Sequence, residues 1–135
     1  MSYIRVALTP DGAGAWELVR SLPRALVSEA LLNGTPLAAT RLAALGLVNQ
    51  TVPPGTALDA AVRLARSMSS HSPNALRLTK QLISQAGVQD RGAYLDSEKA
   101  AFLEALHHDD GGEGISAFLA KRPAIYATGA SRSTR

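Results

Sequence analysis

The stretch Asp110-Gly111-Gly112-Glu113-Gly114-Ile115-Ser116-Ala117-Phe118-Leu119-Ala120-Lys121-Arg122-Pro123 decides how this chain is read. Ile115, Phe118, Leu119 and Arg122 fall at i, i+3, i+4 and i+7. Three apolar side chains therefore share one helical face, and an arginine stem extends it. Glu113 places a negative charge in the expected first turn, where the helix dipole favours it, and Gly111 and Gly112 loosen the approach. Lys121 and Arg122 complement the carboxyl end, and Pro123 stops the helix. By periodicity alone this is an ordinary amphipathic helix.

The rest of the chain predicts a succession of helices behind one short strand. Residues 3–8 are a brief β-like run closed by Pro10-Asp11-Gly12, a turn composition. A lone strand needs a neighbouring edge for its N–H and C=O groups. Helices are expected over residues 15–22, from Pro23 to a stop at Gly34, and over 39–45 with Gly46 as stop. Residues 47–52 read as a short extended piece. Leu58, Ala61, Val62, Ala65 and Met68 are spaced for one amphipathic helix. Ala75, Leu76, Thr79, Leu82, Ile83 and Ala86 are spaced for another, opening at Ser72-Pro73. A further helix is expected over 93–106, with Tyr94, Ala101, Phe102 and Ala105 inward. Residues 127–135 read as a flexible tail.

Composition sets the outer bounds. The 135 residues amount to about one domain, and 46% hydrophobic content is too high for a disordered chain. Only 4% is aromatic, so the core must come mainly from Ala, Leu and Val. There is no cysteine, which excludes a disulfide framework and a thiol nucleophile and suits a reducing cytoplasm. No signal peptide and no run long enough to span a membrane is visible. The net charge of +3 is spread over scattered Lys and Arg with no interleaved aromatics, so nucleic acid is not an expected partner.

The wording of the opening stretch is more specific than its periodicity. Asp-x-x-Glu-Gly-x-x-Ala-Phe-x-x-Lys-Arg-Pro resembles the C-terminal signature of the crotonase superfamily, the enoyl-CoA hydratases and isomerases. Three other stretches resemble the same family, in order. They are Leu8-Thr-Pro10-Asp11-Gly12-Ala-Gly14; Leu32-Asn-Gly34-Thr-Pro36-Leu37-Ala-Ala39 running on to Gly46-Leu47-Val48-Asn49; and Ala75-Leu76-Arg77-Leu78-Thr79-Lys80. The resemblance implies a fold that is mainly α with a short N-terminal β segment. Residues 1–126 would be the C-terminal half of a crotonase-like ββα spiral fold plus its helical trimerisation region. The family's first half, with the spiral sheet and both oxyanion-hole donors, has no counterpart among these residues. This half is therefore expected to be inactive in isolation. The resemblance also implies an acyl-CoA thioester as substrate without a further cofactor. It implies a homo-oligomer, trimer or hexamer, or association with a crotonase subunit. A non-catalytic helical remnant serving oligomerisation is the alternative.

Site residues follow in the same way. Asp11 on its own is a turn aspartate or a helix cap. By resemblance it is the acid/base group of those branches that carry an aspartate at this place in the turn, and Gly12 beside it is expected among the substrate- and CoA-binding residues. The position of the second hydratase glutamate is Tyr3 here, so the two-carboxylate hydration of an enoyl thioester is not encoded in this chain. Phe118 and Lys121 match the family's acyl-pocket phenylalanine and its CoA-phosphate lysine; a core phenylalanine beside a solvated lysine is the alternative. Lys80 and Arg122 are weaker candidates for the same anion. His107-His108-Asp109-Asp110 does not read as a metal site, because adjacent helical residues do not face one another. A solvated acidic turn after a helix end accounts for it. No nucleophile elbow, P-loop or complete dinucleotide fingerprint is present.

Overall fold

The computed structural model describes residues 3–126, and every regular element among them is helical. The tail expected at 127–135 lies outside the described residues. The chain divides into two units, one running to Ala60 and the other from Ala61.

The first unit opens with a 3₁₀ turn (Tyr3–Val6), followed by α1 (Gly14–Ser21), α2 (Arg24–Asn33) and α3 (Ala39–Ala44). Leu22 and Pro23 separate α1 from α2, where proline's fixed φ leads into a helix without losing a needed N–H. The two helices pack together around Leu22, Leu26, Val27 and Ala30, which are all buried. Trp16 is half exposed, and the Arg20 guanidinium lies 4.5 Å from its ring centroid, one turn further along α1. Gly34 ends α2 at φ 64°. A Cβ there would come 3.1 Å from Arg5 Nε, so glycine suits the left-handed turn and leaves room for the Arg5 side chain.

The strand expected at 3–8 is not present. Tyr3–Val6 form the 3₁₀ turn, and the physical reason is that no strand edge is there among the described residues to pair with. The orphan groups are satisfied locally instead: Ala7 N–H donates to Ile4 O at 3.3 Å and Leu8 N–H to Tyr3 O at 3.0 Å. Nor do residues 47–52 form a strand; Leu47 N–H is drawn back to Leu42 O at 2.9 Å to close α3.

Helix α4 (Ala57–Met68) crosses the division between the units, and Leu58, Val62 and Met68 of its expected stripe are exposed. The second unit is built from α5 (Pro73–Ala86), α6 (Arg91–His107) and α7 (Asp109–Leu119), with α6 packed against both others. Ser72 caps α5 by accepting from Ala75 N–H at 3.2 Å, and Asp90 caps α6 by accepting from Ala93 N–H at 3.0 Å. Phe102, expected inward on α6, is 66% exposed. Leu78 of α5 and Ala117 of α7 are buried in its place. Ala101 and Ala105 of the same helix are half-buried, so small side chains rather than the ring face inward.

Helix α7 starts earlier than the glycines suggested. Gly111 and Gly112 are inside it, and Glu113 is in its second turn rather than its first. The reason is packing at the α6–α7 corner, where a single residue, His108, joins the helices. A Cβ on Gly111 would overlap the Ala105 carbonyl oxygen and lie 2.9 Å from that of Leu106. Gly111 thus permits a backbone contact that no other residue allows.

Candidate functional site

In the first unit, Asp11 lies on an exposed turn leading into α1. Gly14 N–H donates to Asp11 O at 3.0 Å across the turn, and Gly12 (φ 56°) and Ala13 (φ 60°) are both left-handed. Two consecutive positive φ values are what a primed turn requires. A Cβ on Gly12 would touch nothing within 4 Å, so this glycine serves conformation rather than space. The Tyr3 hydroxyl donates to Asp11 Oδ1 at 2.7 Å. That hydrogen bond, and secondarily the carboxylate charge, raises the Tyr3 phenol above its ordinary value of 10.0.

In the second unit, Phe118 and Lys121 lie at the end of α7. Phe118 is 82% exposed and shares an open apolar face with Ile115 and Leu119, as the spacing predicts. Lys121 is beyond the last helical turn with φ 51°. Arg122 N–H donates to Ala117 O at 3.0 Å and Lys121 N–H to Phe118 O at 3.1 Å, the double closure of a Schellman motif with lysine at the left-handed position. The Lys121 side chain therefore leaves from a backbone turn that is itself hydrogen-bonded.

A clamp behind this turn was not foreseen from the sequence. Arg122 donates to both carboxylate oxygens of Glu113, at 2.7 and 2.9 Å, and Ile125 N–H donates to Glu113 Oε1 at 2.8 Å. The Arg122 hydrogen bonds, followed by that from Ile125, hold the Glu113 carboxyl down to about 2. Arg122 is thereby committed to Glu113 rather than offered to a ligand anion. Lys80 is exposed on α5.

The acidic turn after α6 is not solvated as expected. Asp110 is buried and accepts from the Ser72 hydroxyl at 2.6 Å, a bond between residues 38 apart. His108 Nδ1 accepts from Asp110 N–H at 3.1 Å and lies 3.6 Å from Asp110 Oδ2. Because the Ser72 hydroxyl donates to the carboxylate and not to the imidazole, these residues form a structural staple and not a nucleophilic triad. Beside them is a cavity of about 230 Å³ bordered by Asn74, Ala105, Ile115 and Tyr126. Among the described residues no three His, Asp or Glu side chains are grouped to hold a metal ion, and no helix is long and apolar enough to cross a membrane.

The geometry thus brings Asp11 and Gly12 together in one unit, and Phe118 and Lys121 in the other. The enoyl-CoA hydratase/isomerase family model matches residues 1–129. The 2,3-dehydroadipyl-CoA hydratase of Escherichia coli K12 is 35% identical over 119 residues, 88% of this chain and 47% of that protein. The 1,2-epoxyphenylacetyl-CoA isomerase of the same organism is 35% identical over 122 residues, 90% of this chain and 47% of the isomerase. Among solved structures, an enoyl-CoA hydratase from Polaromonas sp. JS666 matches with a TM-score of 0.89 at 48% identity, over 94% of this chain and 49% of that one. The chain therefore spans about half the length of these relatives. With a family model matched along nearly its whole length and a helical architecture shared with a crotonase fold, this chain belongs to the enoyl-CoA hydratase/isomerase family.

Proposed function

We propose that this chain supplies the second half of an acyl-CoA site, in which oxyanion donors from elsewhere stabilise a thioester enolate and Asp11 moves the proton. The observation that carries this reading is the Asp11 carboxylate, exposed on a hydrogen-bonded turn in a chain of this family. A general base must reach its proton, and a carboxylate held at a turn meets that need without burial. Tyr3 brings no second carboxylate, so the chemistry assigned here is proton shuttling beside the thioester carbonyl rather than two-carboxylate hydration. Phe118 would line the acyl chain and Lys121 would meet a CoA phosphate as a flexible point charge. The cysteine-free sequence suits the cytoplasm, the compartment we assign to this reading.

The 135-residue chain alone is expected to turn over crotonyl-CoA at background rate, since losing a single oxyanion donor typically costs about 10²–10³ in rate. In an assembly with a crotonase subunit that supplies those donors, Asp11→Asn is expected to lower turnover of an enoyl-CoA by about 10²-fold or more. Full activity in Asp11→Asn, or hydration by the pure chain well above background, would overturn the reading.

A second reading is favoured by one observation: Ile115, Phe118, Leu119 and Ile125 are all exposed at the end of the second unit. An apolar face of this kind serves association, either with another copy or with a crotonase subunit, and would do so whether or not the chain takes part in chemistry.

A further inference from the structure

An exposed carboxylate on a loop turns about two side-chain bonds and by itself holds no fixed direction. Asp11 is held at both ends of one hydrogen bond. Its Oδ1 accepts from the Tyr3 hydroxyl at 2.7 Å. On the donor side, the Tyr3 carbonyl accepts Leu8 N–H at 3.0 Å, and the 3₁₀ turn carrying Tyr3 is moored to the end of α2 by Arg5 Nη2 donating to Gly34 O at 3.3 Å. On the acceptor side, the Asp11 carbonyl is tied to Gly14 N–H at 3.0 Å. Donor and acceptor therefore both extend from anchored backbone, and their bond restrains where Oδ1 points.

We infer that Tyr3 is a positioning residue for the Asp11 carboxylate, occupying Oδ1 as a donor and leaving Oδ2 to exchange the substrate proton. This rests on the acid/base reading of Asp11. The step balances within the site: a C–H bond beside the thioester carbonyl breaks, the proton goes to Oδ2, and the electron pair stays on the substrate as enolate. The Tyr3 proton remains on the phenol throughout. A phenol suits the task because it is a neutral donor, and a hydrogen bond to an ionised acceptor is stronger than one between neutral groups. The carboxylate also makes the phenol harder to ionise, so the donor keeps its proton to a higher pH than an ordinary phenol does.

The first test is an ultraviolet titration of the 135-residue chain. Tyr3 is one of three tyrosines, so the difference between wild type and Tyr3→Phe isolates its phenol. It is expected to titrate above 10.0 in the wild type and to move down toward 10.0 in Asp11→Asn. An identical Tyr3 titration in both proteins would overturn the inference. The second test uses an assembly with a crotonase subunit. Tyr3→Phe is expected to lower kcat about tenfold with KM within about twofold, because the base is misaimed while binding is untouched. Loss of turnover in Asp11→Asn together with wild-type kcat in Tyr3→Phe would overturn the positioning role alone. Full turnover in Asp11→Asn would remove the acid/base reading and the positioning role with it.

Discussion

At the carboxyl end of α7, Lys121 takes the left-handed conformation (φ 51°) that Gly46 takes (φ 76°) at the end of α3. Both helices close with the same pair of hydrogen bonds, Leu47 to Leu42 and Gly46 to Ala43 in one, Arg122 to Ala117 and Lys121 to Phe118 in the other. Glycine is the ordinary occupant, because a Cβ in this conformation costs about 1 kcal/mol or more. Lysine at this position therefore works against the fold, and such outliers point to a role for the side chain. Lys121→Gly is expected to raise stability by about 1 kcal/mol in urea melts and to weaken CoA binding by an assembled enzyme. A variant that loses stability would place the lysine among the structural contacts instead. Glu113 gives a pH signature at the same scale. Its carboxyl is depressed from 4.5 to about 2, so its contribution to stability is complete above 4.5 and is lost as the pH falls through 2. Glu113→Gln should flatten the acid loss of melting temperature over that window, and salt should weaken the effect because Arg122 is partly exposed.

Among the elements, the α6–α7 corner leaves no room for a side chain at Gly111. Gly111→Ala would push a methyl group into the carbonyls of Ala105 and Leu106, backbone atoms that cannot turn aside. The expected cost is about 1–3 kcal/mol, read from the denaturation midpoint. Gly112→Ala, inside the same helix where a Cβ would meet nothing within 4 Å, is the control and should raise stability by about 0.5–1 kcal/mol. This corner also shows where sequence reasoning reaches its limit. Signals confined to neighbouring residues were legible: Ser72-Pro73 opened α5, Gly34 and Gly46 closed α2 and α3, and Pro10-Asp11-Gly12 made the turn that presents Asp11. What depended on distant partners was not. Nothing local reveals that Asp110 is buried against Ser72, that Gly111 faces a carbonyl, or that Glu113 is met by Arg122. The 3₁₀ turn at Tyr3–Val6 failed as a strand for the same reason, since a β-like run becomes a strand only when an edge is there to receive it.

At the scale of the whole molecule, several large apolar side chains are exposed among the described residues. Phe102, Phe118, Leu119 and Ile125 are all more than 60% exposed. Sedimentation of the 135-residue chain is expected to show self-association that grows with concentration, and Phe118→Asp should reduce it. A well-behaved monomer at micromolar concentration would remove the association reading. Within the second unit, the main helix pairings join neighbours along the chain, α5 with α6 and α6 with α7. Such pairings close short loops and form rapidly. The bond from Ser72 to Asp110 is different, because it spans 38 residues and ties the start of α5 to α7. The consequence is kinetic. A contact made after the folding barrier does nothing to speed the way in, and all of its strength goes into slowing the way out. Ser72→Ala is therefore expected to speed unfolding of the three helices and to leave their folding rate nearly unchanged.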